Sequence, residues 1–99
     1  GIAGIEQLRA FRADRAILTV AALDVDQGAM DASLDEAQIA RAMIRNARMV
    51  TVLAHPGKFG RHAAYAVCAT EDIDLIISDG QLEKAHKAAL RDKGVELWT

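Results

Sequence analysis

Apolar residues along this chain gather into five short runs: Ala16–Leu23 (AILTVAAL), Met49–Ala54 (MVTVLA), Ala63–Cys68 (AAYAVC), Asp74–Ser78 (DLIIS) and Val95–Thr99 (VELWT). Most are β-branched or nearly continuous in apolar character, which predicts strands buried on both faces, as in a parallel sheet. Between the runs the period changes. Leu34, Ala37, Ala40, Met43, Ile44 and Ala47 recur at helical spacing and predict a helix from about Leu34 to Arg48. Its entry, Ser33-Leu-Asp-Glu36, is a capping box with Ser33 as N-cap and Glu36 at N3. Arg45 and Arg48 then fall near its C-terminus, where the helix dipole favours cations. A second helix is predicted over about Gln81–Asp92, with Leu82, Ala85, Ala89 and Leu90 inside and Gly94 placed to end it. Asp79, or Ser78 with Gln81, would cap it. A short first helix is predicted at Glu6–Phe11.

The resulting order, α-β-α-β-β-β-α-β, predicts an α/β fold: a mostly parallel sheet of about five strands flanked by helices. In such sheets ligands sit beyond the carboxyl ends of the strands. Two loops leave such ends, Asp24–Ser33 (DVDQGAMDAS) and His55–Arg61 (HPGKFGR), and both contain glycine and charge.

Composition narrows this picture. Ninety-nine residues, 52% of them apolar but only 4% aromatic, suit one small α/β domain with an Ala, Val, Ile and Leu core. Twelve basic against 14 acidic residues, a net charge of −2, exclude the strongly basic footprint of a DNA-binding domain. The lone Cys68 excludes an internal disulfide and points to a reducing, cytoplasmic setting. No apolar run approaches the roughly 20 residues of a membrane span, so no membrane partner is expected. The opening, GIAGIEQL, lacks a Met and reads as a cut through a longer protein.

Candidate chemistry lies at the strand ends. Lys58, among Gly57, Gly60 and Arg61, is the residue type for an anion site. Small neighbours admit a ligand to backbone N–H groups, and the ammonium supplies a point charge. The alternative is a type II turn at Pro56-Gly57 with a solvated lysine. Asp24 and Asp26 could accept sugar hydroxyls or act as bases, or could serve turn chemistry alone. Glu36 could face the same cleft, although the capping box accounts for it. Asp79 is either a cap or a cleft residue. His55, His62, His86 and Cys68 match no compact ligand spacing, so no metal or other cofactor is expected. Cys68, in an apolar run with no visible base, reads as a small core residue.

The segment ADRAILTVAALDVDQGAMDASLDEAQIARAMIRNARMVTVLAHPGKFGR, followed by EDIDLIISD, resembles the effector-binding domain of DeoR-type bacterial transcription repressors. The shared order runs Ala-Asp-Lys-Ala-Phe, Gly-Ile-Asp and a nearby Gly, Glu-Ala, Arg-Ala-Met-Ile, Ser-Lys-Phe-Gly, Asp-Ile-Asp and Ile-Thr-Asp, over nearly the whole chain. The resemblance implies a sensor of phosphorylated sugars or polyols, without catalysis, with a fold like that of ribose-5-phosphate and glucosamine-6-phosphate isomerases. By position, Asp24, Gly28, Glu36, Lys58 and Asp79 match the family's motif residues. With Gly57 and Arg61 from the lysine's loop they form the candidate effector site. Residues 1–99 would be the C-terminal portion of the effector domain. A winged helix-turn-helix expected upstream would make the only DNA contact, and a homo-oligomer is expected.

The departures are specific. Ala22-Leu23 stand where the family has Gly before its aspartate, Ala29-Met30 where a Thr follows the glycine, Ala40 in place of a frequent lysine, and His55-Pro56-Gly57 in place of Asp-x-Ser. The last of these, which loses a carboxylate and a hydroxyl and gains His55, makes the pocket less acidic, which fits either a more anionic effector or altered or lost binding. Two other readings stay open. One is an isomerase-like enzyme with Asp24 and Glu36 as acid and base and Lys58 on phosphate. The other is a piece that serves mainly for assembly.

Overall fold

The computed structural model describes residues 13–99. The helix predicted at Glu6–Phe11 lies outside the described residues. Seven strands and two α-helices follow in the order β1 (Ala13–Thr19), β2 (Ala22–Asp24), β3 (Gly28–Asp31), α1 (Leu34–Arg45), β4 (Ala47–Leu53), β5 (Tyr65–Cys68), β6 (Leu75–Ile77), α2 (Lys84–Asp92) and β7 (Glu96–Trp98). Single 3₁₀ turns occupy Pro56–Lys58 and Thr70–Asp72. The α/β class is as predicted, but the single sheet is not.

Four strands, in the order β1-β4-β6-β7, form a wholly parallel sheet. The other three, β2-β3-β5, form a separate antiparallel sheet. The predicted strand Ala16–Leu23 is therefore two strands. The chain leaves the parallel ladder at Val20. The Ala21 N–H then donates to the Met30 carbonyl at 3.1 Å and to Asp31 Oδ1 at 3.2 Å, which turns Ala22–Asp24 into the second sheet. Both halves of the run are apolar, so periodicity has no break to detect. Asp24–Ser33, predicted as a ligand loop, is mostly the β2–β3 hairpin, closed by the Gln27 N–H donating to Asp24 Oδ2 at 2.8 Å. The strand in Ala63–Cys68 belongs to this antiparallel sheet and not to the parallel one.

Helix α1 starts as predicted, with Ser33 Oγ accepting from the Glu36 N–H at 3.4 Å. The return bond from the Glu36 carboxylate is not formed. The helix stops at Arg45 with Asn46 as C-cap, so Ala47 and Arg48 belong to β4. Ala37, Ala40 and Ala42 are its buried face. Arg41 ties the helix to β5 through Nε donating to the Ala66 carbonyl at 2.8 Å. Helix α2 begins three residues later than predicted. Its N-cap is Glu83, without a side-chain bond, so neither Ser78 nor Asp79 caps it. Leu90 is its buried anchor, and Ala85 is exposed.

The core lies on one side of the parallel sheet. Leu18, Val20, Val50, Val52, Ala54 and Ile76 cluster there with Leu23, Phe59, Val67 and Leu90. The alternate residues Ile17 (56% exposed), Met49 (41%) and Leu53 (39%) are open to solvent among the described residues. The prediction of strands buried on both faces holds at the sheet centre, where consecutive Thr51 (2% exposed) and Val52 (0%) in β4 and Leu75 (6%) and Ile76 (0%) in β6 are all buried, and is corrected for β1 and the ends of β4. Continuous apolar sequence permits two-faced burial, but burial also requires a second layer. No helix among the described residues is long and apolar enough to cross a membrane.

Candidate functional site

The carboxyl ends of β2, β4 and β6 come together, and three loop segments meet there. The Leu23 carbonyl accepts from the Gly60 N–H at 2.9 Å, and Leu23 pairs with Phe59 in a short parallel bridge. This fastens the His55–Arg61 loop to the strand that ends in Asp24. Phe59 is buried and its ring lies 5.7 Å from that of His86, so α2 braces the loop from outside. On the other flank, Gly80 approaches Pro56 so closely that an added Cβ would stand 3.0 Å from Pro56 Cγ. Asp24, Gly57, Lys58, Arg61 and Asp79 thus sit on adjoining segments.

Their local roles differ. Asp24 Oδ2 accepts the Gln27 N–H, and Oδ1 lies 3.7 Å from His62 Nε2. Thr70, 1% exposed, holds the backbone behind it by donating to the Val25 carbonyl at 2.7 Å. Pro56-Gly57 forms a 3₁₀ turn and not a type II turn, because Gly57 does not take a positive φ. The turn consumes its own donors. Gly57 N–H donates to His55 Nδ1 at 2.9 Å, Lys58 N–H to the His55 carbonyl at 2.9 Å and Phe59 N–H to the Pro56 carbonyl at 3.2 Å. With the Gly60 N–H on Leu23, four successive amides are spent, and the loop offers no backbone cradle there. Any anion contact falls to the half-buried Lys58 and exposed Arg61 side chains.

Two candidates stand apart from this group. Gly28 is buried in β3, with φ +92° and an added Cβ only 2.1 Å from the Cys68 carbonyl, so its identity is explained by strand packing. Glu36 lines a cleft of about 470 Å³ at the end of β1, with Thr19, Ala21, Asp31 and Met43 among its walls. Asp24 is not among the residues lining it.

Sequence reasoning passed over Asp31 in this cleft. It is 5% exposed, and burial raises its pKa above the ordinary 3.8, with the Glu36 charge adding to the rise and the Ala21 N–H opposing it. A raised folded-state pKa stabilises the fold fully below the unfolded value, and that contribution is lost as pH rises through the folded value. Asp31→Asn keeps an acceptor for Ala21 and removes the charge. Its melting temperature should exceed that of the wild type at pH 7 and converge with it below about pH 3.8; a lower melting temperature at pH 7 would refute this account. Cys68 carries no such chemistry. Burial, aided by the Asp72 charge and opposed by the Ala29 backbone, pushes its thiol up to about 11, leaving it protonated at neutral pH.

The family described as DeoR C terminal sensor domain matches residues 1–80. The chain belongs to the DeoR family. Among its relatives, the HTH-type transcriptional regulator GlpR of Haloferax volcanii is 33% identical over 82 residues, 83% of this chain and 32% of that protein. The putative aga operon transcriptional repressor of Escherichia coli O157:H7 is 30% identical over 92 residues, 93% of this chain and 34% of that protein. The HTH-type transcriptional repressor GlcR of Bacillus subtilis is 31% identical over 97 residues, 98% of this chain and 37% of that protein. The chain therefore spans about a third of the length of these relatives. By their names these relatives are transcriptional regulators and repressors.

Proposed function

We propose that this DeoR-family sensor domain binds a phosphorylated sugar or polyol at the carboxyl ends of β2, β4 and β6, and that binding modulates operator affinity through a helix-turn-helix elsewhere in the full-length protein. One observation carries the reading. Three strand ends converge on a single loop that holds Lys58 and Arg61, with Asp24 and Asp79 beside them. Cationic side chains suit the phosphate, and flanking carboxylates suit hydroxyls as hydrogen-bond acceptors. The Gly57–Gly60 amides are spent within the turn and on Leu23, so this loop meets the phosphate through its side chains. Gly57 contributes by leaving the loop open, and Gly28 contributes through the packing of β3. Glu36 belongs to the neighbouring cleft, where a longer effector or another part of the full-length chain would meet it. The sheet face of Ile17 and Met49, exposed among the described residues, supports homo-oligomer formation as the companion proposal.

The test is a thermal-shift screen of phosphorylated sugars and polyols on the full-length protein. A compound at 100 times its Kd should add about 2.7 kcal/mol of stability. Lys58→Ala should weaken that compound roughly 10- to 100-fold, the scale of a lost charge-assisted hydrogen bond. A shift that survives Lys58→Ala unchanged would remove the lysine from the site.

A further inference from the structure

Ser78 ends β6, and its backbone is well held. Its N–H donates to the Trp98 carbonyl at 2.9 Å, the last rung between β6 and β7. Its side chain is held by nothing. The residue is 4% exposed, and Oγ is the one buried side-chain oxygen or nitrogen among the described residues with no hydrogen-bond partner. A buried hydroxyl left unsatisfied is costly, and natural proteins keep few of them. Strand ending does not explain it, because the backbone rung alone ends the strand. Helix capping does not explain it either, since α2 takes Glu83 as its cap.

The surroundings do offer an explanation. Ser78 lines a cleft of about 310 Å³ between the carboxyl ends of the neighbouring parallel strands β4 and β6. Leu53, Ala54 and Ile77 form its apolar wall, and His55 and Asp79 are its polar edges. His55 Nδ1 accepts the Gly57 N–H, which leaves Nε2 as the donor nitrogen of the neutral ring. Asp79 supplies acceptors. The cleft thus pairs a C–H-compatible wall with one donor, one carboxylate and a hydroxyl that can do either. That combination fits a carbon chain bearing hydroxyl groups. Rotation of χ1 between staggered rotamers is the motion that would bring Oγ to a ligand in the cleft.

We propose that Ser78 is a specificity residue of this cleft, a hydrogen-bonding group held in reserve for a hydroxyl of the effector seated between β4 and β6. The proposal rests on the sensor reading above and adds to it the part of the ligand that is not phosphate. His55 takes the opposite edge, so this loop reads hydroxyl positions as well as charge.

The experiment compares full-length wild-type protein with Ser78→Ala, using glycerol 3-phosphate and glucose 6-phosphate as probes and inorganic phosphate as the control for charge alone. Without a probe, Ser78→Ala should melt at the wild-type temperature or a few degrees higher, because an unsatisfied group has been removed. A lower melting temperature would mean that Oγ has a structural partner, and would overturn the proposal. For whichever probe binds the wild type, titration calorimetry should give a Kd roughly 3- to 10-fold weaker in Ser78→Ala, with inorganic phosphate unaffected. Equal affinities for the organic probe would also overturn it. If neither organic probe binds the wild type while inorganic phosphate does, the hydroxyl-reading role of Ser78 is overturned and the charge-only site stands; if nothing binds, both the sensor reading and this proposal fail for these compounds.

Discussion

Gly28→Ala is expected to destabilise this domain by about 3–5 kcal/mol, a large share of the 5–15 kcal/mol typical of a folded protein. Two costs combine. Gly28 has φ +92°, a conformation that costs an L side chain about 1 kcal/mol or more. The new Cβ would also lie 2.1 Å from the Cys68 carbonyl and 3.0 Å from Ala69 Cα. Both obstacles are backbone, so relief requires β3 and β5 to separate, with loss of ladder hydrogen bonds. Gly60 supplies the control. It has φ +76°, yet nothing lies within 4 Å of an added Cβ, so Gly60→Ala should cost only about 1 kcal/mol. Urea unfolding of the two variants measures the difference. Equal losses would mean that the steric contact is not what makes glycine necessary at Gly28.

Leu23→Ala is expected to cost about 2–5 kcal/mol and to weaken effector binding as well. Leu23 is 0% exposed and belongs to the central cluster, so the truncation leaves a cavity. Its carbonyl also receives the Gly60 N–H, and its backbone bridges to Phe59. Relaxation around the cavity therefore reaches the Lys58 loop directly. Met49→Ala is the comparison: Met49 is 41% exposed on the open face and away from the cleft, and its loss should stay within about 1 kcal/mol. Unfolding titrations read the first effect, and effector-induced thermal shifts read the second. A Leu23→Ala protein that loses stability but keeps its effector affinity would show that the loop is anchored elsewhere, for instance by Phe59 against His86.

Much of this arrangement is legible from local pattern. The Ser33 cap, the apolar stripe of α1, the buried strands of the parallel sheet and the placing of Lys58 and Asp79 at strand ends all follow from short-range rules. These rules work because they concern neighbours in the chain: a capping hydroxyl three residues from its amide, or side chains one helical turn apart. The same rules failed where the deciding partner is distant. Ala16–Leu23 is one apolar run, and its division at Ala21 depends on Met30 and Asp31. Pro56-Gly57 is a separate case: the partner is close in the chain, His55 Nδ1 taking the Gly57 amide in a 3₁₀ turn, but a side-chain acceptor there is no part of the type II pattern. Gly28 reads as a ligand-loop glycine until the Cys68 carbonyl is seen beside it.

The amino-acid sequence by itself determined the α/β class, the family, and which residue types stand at the ends of the strands, because periodicity, capping and motif order are properties of the chain alone. Only the tertiary structure decided which of those residues meet. It joined Asp24, the Lys58 loop and Asp79, sent Glu36 to a cleft with the buried Asp31, used up the amides of the Gly57–Gly60 turn, and left Ser78 Oγ without a partner. Most of those outcomes depend on residues far apart in the chain, for which spacing carries no signal; three of the four turn amides are the exception, taken by His55 and Pro56 from within the turn.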